Sequence, residues 1–67
     1  MKLMGRVRYW DGKRTGKADG TGTLIQGPEW KLSLRWWYVS RDGAYEGRWY
    51  DEMHLEAELP NGNGVKS

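Results

Sequence analysis

Three stretches of the chain carry residue types that could do chemistry, and each lacks something the chemistry needs. His54 is the single histidine, and on an alternating strand it shares a face with Glu56 and Glu58. A metal ion asks for several ligands at defined spacing, and the chain has no cysteine. A surface imidazole between acids is expected, with a mild pH response. Asp51 and Glu52 are neighbours, whereas two carboxylates acting on one glycosidic bond must converge across a cleft from separate elements. Ser33, Ser40 and Thr23 sit in no nucleophile motif. Gly12-Lys13-Arg14-Thr15-Gly16-Lys17 departs from a phosphate-binding loop on three counts. Three residues lie between its glycines instead of four, Ala18 stands where Ser or Thr would hold magnesium, and no helical pattern follows. A solvated basic loop is expected there. The chain therefore reads as a non-enzyme with no metal and no cofactor.

The aromatic composition carries more. Five Trp and four Tyr occur without any Phe, beside six Arg. Phe suits a core because it has no polar atom to satisfy, whereas Trp and Tyr prefer positions with one dry end and one wet end. A chain of 67 residues buries only about 60% of its unfolded surface. Nine rings of roughly 150–250 Å² each would overfill such an interior, so some must lie outside. Trp, Tyr and Arg are also the residues enriched at binding hot spots. In Trp36-Trp37-Tyr38, consecutive rings on a strand point to opposite faces, which sends Trp37 and Val39 inward and Trp36 and Tyr38 outward. The expected core is Val7, Leu24, Trp37, Val39, Tyr45, Trp49, Met53 and Leu55, with Tyr9 beside it. The expected partner-binding set is Trp10, Trp30, Trp36, Tyr38 and Tyr50, with Arg35 and Arg48 as polar companions.

Charge is unevenly placed. The net charge of +2 conceals a balance of +4 over residues 1–20, from six basic and two acidic residues, and of −4 over residues 51–59. Arg6, Arg8, Lys13, Arg14 and Lys17, interleaved with Trp10, could track phosphates while a ring stacks on a base. The competing reading pairs Arg6 and Arg8 with Glu56 and Glu58 across neighbouring first and last strands.

Glycine and turn residues divide the chain into alternating segments. Strands are expected over residues 5–10, 21–26, 30–40 and 44–49. A polar loop fills 11–20, Gly27-Pro28 stops the second strand, and Arg41-Asp42-Gly43 closes a hairpin. A single 3₁₀ turn is expected at 50–52. Residues 53–59 alternate as a strand, although their composition and a cap at Asp51 also permit a short helix. One domain over residues 1–59 with a flexible tail over 60–67 follows. Mean hydropathy of −0.93 leaves no membrane span, and the absence of cysteine and of a leader makes a cytoplasmic setting the expectation.

This layout, an all-β class with about five antiparallel strands, resembles the Src-homology-3-like small barrel. The resemblance rests on Gly5-Arg6-Val7-Arg8, Gly22-Thr23-Leu24-Ile25, Trp37-Tyr38-Val39, and Glu46 to Glu52 leading into Leu55-Glu56. Tudor-like and KOW-like modules of that architecture bind modified peptides, nucleic acids or proteins. A more distant similarity is to plasmid-borne type II dihydrofolate reductases, with their Arg-Val-Arg opening and a closing Tyr before Leu-Glu. Tyr9 stands where that family has Lys, and of its Gln-Ile-Tyr segment only Tyr50 is present, so the reductase site is not implied. The expectation is a non-enzymatic module binding a protein or peptide, of a kind that would suit a phage or mobile-element protein acting on a host protein. The alternatives are a nucleic-acid-binding barrel and a homo-oligomer enclosing a small-ligand site; no membrane partner is expected.

Overall fold

The computed structural model of the chain describes residues 1–58. Its strands are β1 (Arg6–Tyr9), β2 (Gly20–Lys31), β3 (Leu34–Arg41), β4 (Arg48–Asp51) and β5 (Leu55–Ala57), with a 3₁₀ turn at Glu52–His54 before the last. All pairings are antiparallel, in the order β4-β3-β2-β1-β5. The all-β class and the one-turn link before the final strand are as expected. No ladder joins β4 to β5, so the sheet is not closed into a barrel. The expected tail over 60–67 and the end of the last strand at Leu59 lie outside the described residues.

Alternation places Val7, Tyr9, Leu24, Trp37, Val39, Tyr50 and Leu55 in one apolar cluster. Three expected core residues are not in it. Tyr45 is fully exposed, Met53 is 67% exposed, and Trp49 is half-buried on the opposite face. The turn after β3 forms where expected, with Gly43 at φ +78 and the Ala44 N–H donating to the Arg41 carbonyl at 3.2 Å. The residues after it do not return as a strand. Pairing resumes only at Arg48, opposite Val39, which sets Tyr50 opposite Trp37 and Trp49 opposite Tyr38. A three-residue turn would have paired odd positions of β3 with odd positions of β4. The longer connection pairs odd with even, and that change of register exchanges the two faces of the strand. Gly47 admits the approach, since a Cβ there would lie 2.6 Å from the Tyr38 ring. Met53 is displaced for a different reason. Asp51 caps the 3₁₀ turn, accepting the Met53 N–H at 2.9 Å, so the strand starts two residues later than its alternation suggests.

Gly27-Pro28 does not end β2. The register shifts between Leu24 and Gln26 and again between Gln26 and Glu29, and the strand then continues to Lys31. Gly27 sits at φ +116, where a side chain would be strained and would come 2.9 Å from the Trp36 carbonyl. Beyond these bulges β2 pairs with β3 alone, as a two-stranded ribbon. Its tip is a two-residue turn at Leu32-Ser33, with φ of +54 and +63, both positive as a type I′ turn requires. No Asn or Gly marks this turn in the sequence, and left-handed backbone costs a residue with a Cβ roughly 1–2 kcal/mol.

The Arg6 guanidinium grips both oxygens of Asp42, and the Thr21 hydroxyl donates to the same carboxylate at 2.6 Å. Glu58 approaches Arg6 from the other side at 3.5 Å, so one arginine ties β1 to β2, to the turn after β3 and to the end of β5. Arg6 and Thr21 hold the Asp42 carboxyl down to about pKa 2. A lowered folded-state pKa gives stability that is present above the unfolded value of about 4 and is lost as pH falls toward 2. Asp42→Asn should therefore flatten the acid limb of the stability curve between about pH 4 and 2. At pH 7 it should cost roughly 1 kcal/mol or less, because both partners are nearly half exposed and screened by water. Urea unfolding across that pH range measures both effects.

Candidate functional site

The outward face of β3 and β4 carries Trp36, Tyr38 and Trp49 side by side, all half-buried. Tyr38 and Trp49 meet edge to face with centroids 5.4 Å apart. The Trp36 indole N–H donates to the Lys31 carbonyl at 3.1 Å, which lays its ring along the ribbon. Trp36, Trp49, Leu32 and Lys31 together line an apolar groove of about 590 Å³. Trp49 and Leu32 are absent from the expected partner-binding set. The first is among the expected core residues, and the second lies in a turn that no residue type announces.

The groove's tryptophans also wall a smaller cleft of about 240 Å³, whose polar groups are Asp11, Arg48, Asp51, His54 and the Tyr50 hydroxyl. Tyr50 packs its ring 5.1 Å from that of Tyr9 and donates its hydroxyl to Asp11, while Arg48 reaches the same Asp11 oxygen at 3.5 Å. Asp51, buried, lies 3.0 Å from His54 Nδ1. His54 therefore stands beside Asp51 on the 3₁₀ turn instead of sharing a strand face with Glu56 and Glu58. Among the described residues no group of three or more His, Asp or Glu is placed to hold a metal ion.

The expected partner-binding residues separate into three sets. Trp36 and Arg48 line the groove and its cleft, and Tyr38 stands beside them on the same face against Trp49. Trp10 and Tyr50 are buried, at 6% and 5% exposure, and line the cleft. Trp10 is drawn in as the chain leaves β1, where its backbone N–H donates to the His54 carbonyl at 3.0 Å and Arg14 covers its ring at 4.8 Å. Its indole N–H has no hydrogen-bond partner among the described residues. Trp30 and Arg35 are cross-strand neighbours on the other face of the ribbon, the guanidinium 5.1 Å from the ring centroid.

Of the residues considered for nucleic acid, the arginines are engaged within the molecule. Arg8 and Arg14 both meet Glu56, at 3.2 and 3.4 Å, and Arg6 meets Asp42 and Glu58. The β1–β5 register sets Arg8 opposite Glu56, as the charge-pairing reading anticipated. Lys13 and Lys17 are exposed on the loop.

Burial, reinforced by the bond to Asp11, pushes the Tyr50 hydroxyl up to about pKa 12. A raised folded-state pKa contributes stability that is complete below the unfolded value of about 10 and is lost as pH climbs toward 12. Absorbance titration near 295 nm should show one tyrosine ionising well after the rest. Tyr50→Phe should remove that late step, and Asp11→Asn should move it to lower pH. Comparison with family models, curated proteins and solved structures finds no match to this chain, so its geometry alone supports a functional reading.

Proposed function

We propose that the protein is a non-enzymatic interaction module that holds an extended segment of a partner protein on its aromatic face. The observation that carries this reading is the groove walled by Trp36 and Trp49, with Tyr38 packed edge to face against Trp49 beside it, which leaves three large rings half open to solvent and adjoins a polar cleft. The interior is already occupied by Tyr9, Trp37 and Tyr50, and rings gathered side by side on an outer face, as these are, usually mark an interaction site. The apolar groove suits an aliphatic or aromatic side chain of the partner. The cleft, where Asp11 and Asp51 outnumber Arg48, suits a basic one. The strand order supports the Src-homology-3-like resemblance, and a cytoplasmic setting with a host protein as the partner accords with this reading. Charge pairing of Arg6, Arg8 and Arg14 leaves nucleic acid the weaker reading.

Replacing Trp36 and Tyr38 by Ser removes one wall of the groove and the edge-to-face contact with Trp49. Because each ring is only half-buried, the double variant should lose no more than the roughly 3–5 kcal/mol that deleting one fully buried aromatic costs, and should stay folded. A partner captured by the wild type and identified should bind the double variant at least about tenfold more weakly in calorimetry, since each lost anchor is worth about 1 kcal/mol or more. Unchanged affinity, or unfolding of the variant, would refute the assignment of these rings to an interface.

A further inference from the structure

We infer that the tip of the β2–β3 ribbon is an interfacial membrane wedge that inserts among the headgroups of an anionic lipid surface. This goes beyond the protein-binding groove, whose Lys31 and Leu32 it shares, and adds Trp30, Leu34 and Arg35 on the ribbon. Leu32 forms the apex, 88% exposed, in a left-handed backbone conformation that Asn or Gly would adopt more easily. The chain thus keeps a large apolar side chain in water at a position where both exposure and backbone disfavour it. Behind the apex the apolar groups occupy both sides of the ribbon. Trp30, 66% exposed, lies on one face with Arg35, and Leu34 lies on the other with Lys31 and Trp36. Docking on a flat protein surface would call for one apolar face. An element apolar at its tip and on both sides suits a medium that surrounds it.

The depth and the charge agree with that medium. Two residue steps separate the apex from Trp30 and Arg35, about 7 Å along a strand, which matches the roughly 5–10 Å to which interfacial segments enter a bilayer. Trp is suited to that boundary, and Lys and Arg can lay their stems on apolar surface while keeping the charge at the headgroups. Residues 30–35 hold two cations and no acid. The acidic partners of those cations stand further from the apex or off the ribbon, Glu29 at 3.7 Å from Lys31 and Glu52 at 3.6 Å from Arg35, so the cations meet an approaching surface first. No helix among the described residues could cross a membrane; the wedge needs none, because it enters one boundary and spans nothing.

The test uses the full chain and vesicles of phosphatidylcholine with or without phosphatidylglycerol, read by co-sedimentation. Binding should be about 25-fold stronger to the anionic vesicles, about fivefold for each of two cations, and should weaken as salt rises. Trp30→Ser should reduce it about tenfold or more. The paired change Leu32→Asn with Ser33→Gly should reduce it similarly while raising Tm by about 5 °C, since Asn-Gly relaxes the turn. Unchanged binding by these variants, or no binding of the wild type to anionic vesicles, overturns the wedge. Loss of vesicle binding on changing Trp36 and Tyr38 alone also overturns it and moves the contact to the groove. A partner protein that needs Trp36 and Tyr38 but not Trp30 leaves the groove reading standing whatever the vesicles show.

Discussion

The pairing of Trp37 with Tyr50 across β3 and β4 is the constraint on which the rest of the molecule depends. It puts a tryptophan and a tyrosine ring into a core too small for much else, and the neighbouring pair, Tyr38 with Trp49, then has only the outer face to occupy. Tyr50 can be the inward residue because its hydroxyl reaches the rim of the core and donates to Asp11. Trp37 satisfies its indole N–H in the same way, donating to Glu52 at 2.7 Å. Each inward ring is dry along its body and bonded at its polar end, so the absence of Phe does not leave the interior with unsatisfied groups at these two positions.

The core and the aromatic face are two consequences of that one register. Shifting β4 by one residue would bury Trp49, expose Tyr50 and dissolve both the groove and the cleft beneath it. The charges do a separate task. Arg6, Arg8 and Arg14 clamp the beginning of the chain to its acidic end and to the turn after β3, with Asp42, Glu56 and Glu58 as partners. These pairs are exposed and individually weak, but they hold elements distant in sequence, and they account for most of the apparent polarity of the chain.

The ribbon is the part of the fold that follows least from packing. Past the Glu29–Trp36 pair, where Asp51 of β4 still lies alongside, it leaves the sheet's shared ladder and among the described residues has no third strand beside it. Its left-handed, apolar tip adds nothing to the core, and the proposed lipid contact offers a reason for its sequence. The proposed wedge and the aromatic groove share Leu32 and Lys31 at their border, so a partner held in the groove would sit close to the lipid surface.

Alternation by itself determined the strands around Val7, Leu24, Trp37, Val39 and Leu55, because a buried face with period two is written directly in residue type. Opposite charge at the two ends likewise indicated that the first and last strands are neighbours. The sequence also showed that nine large rings exceed the interior, and hence that some of Trp36, Tyr38 and their neighbours face outward. It could not decide which. Trp49 and Tyr50 are adjacent and both aromatic, and the choice between them lies in the length of the connection after Gly43, where no local signal separates a tight hairpin from a longer loop. Trp10 went inward because the chain leaving β1 bonds to His54, and Leu32 reached the apex because bulges in β2 carried the strand past Gly27-Pro28. Those outcomes belong to the tertiary structure, since each is set by where strands pair and where their ladders shift, which residue type alone does not encode.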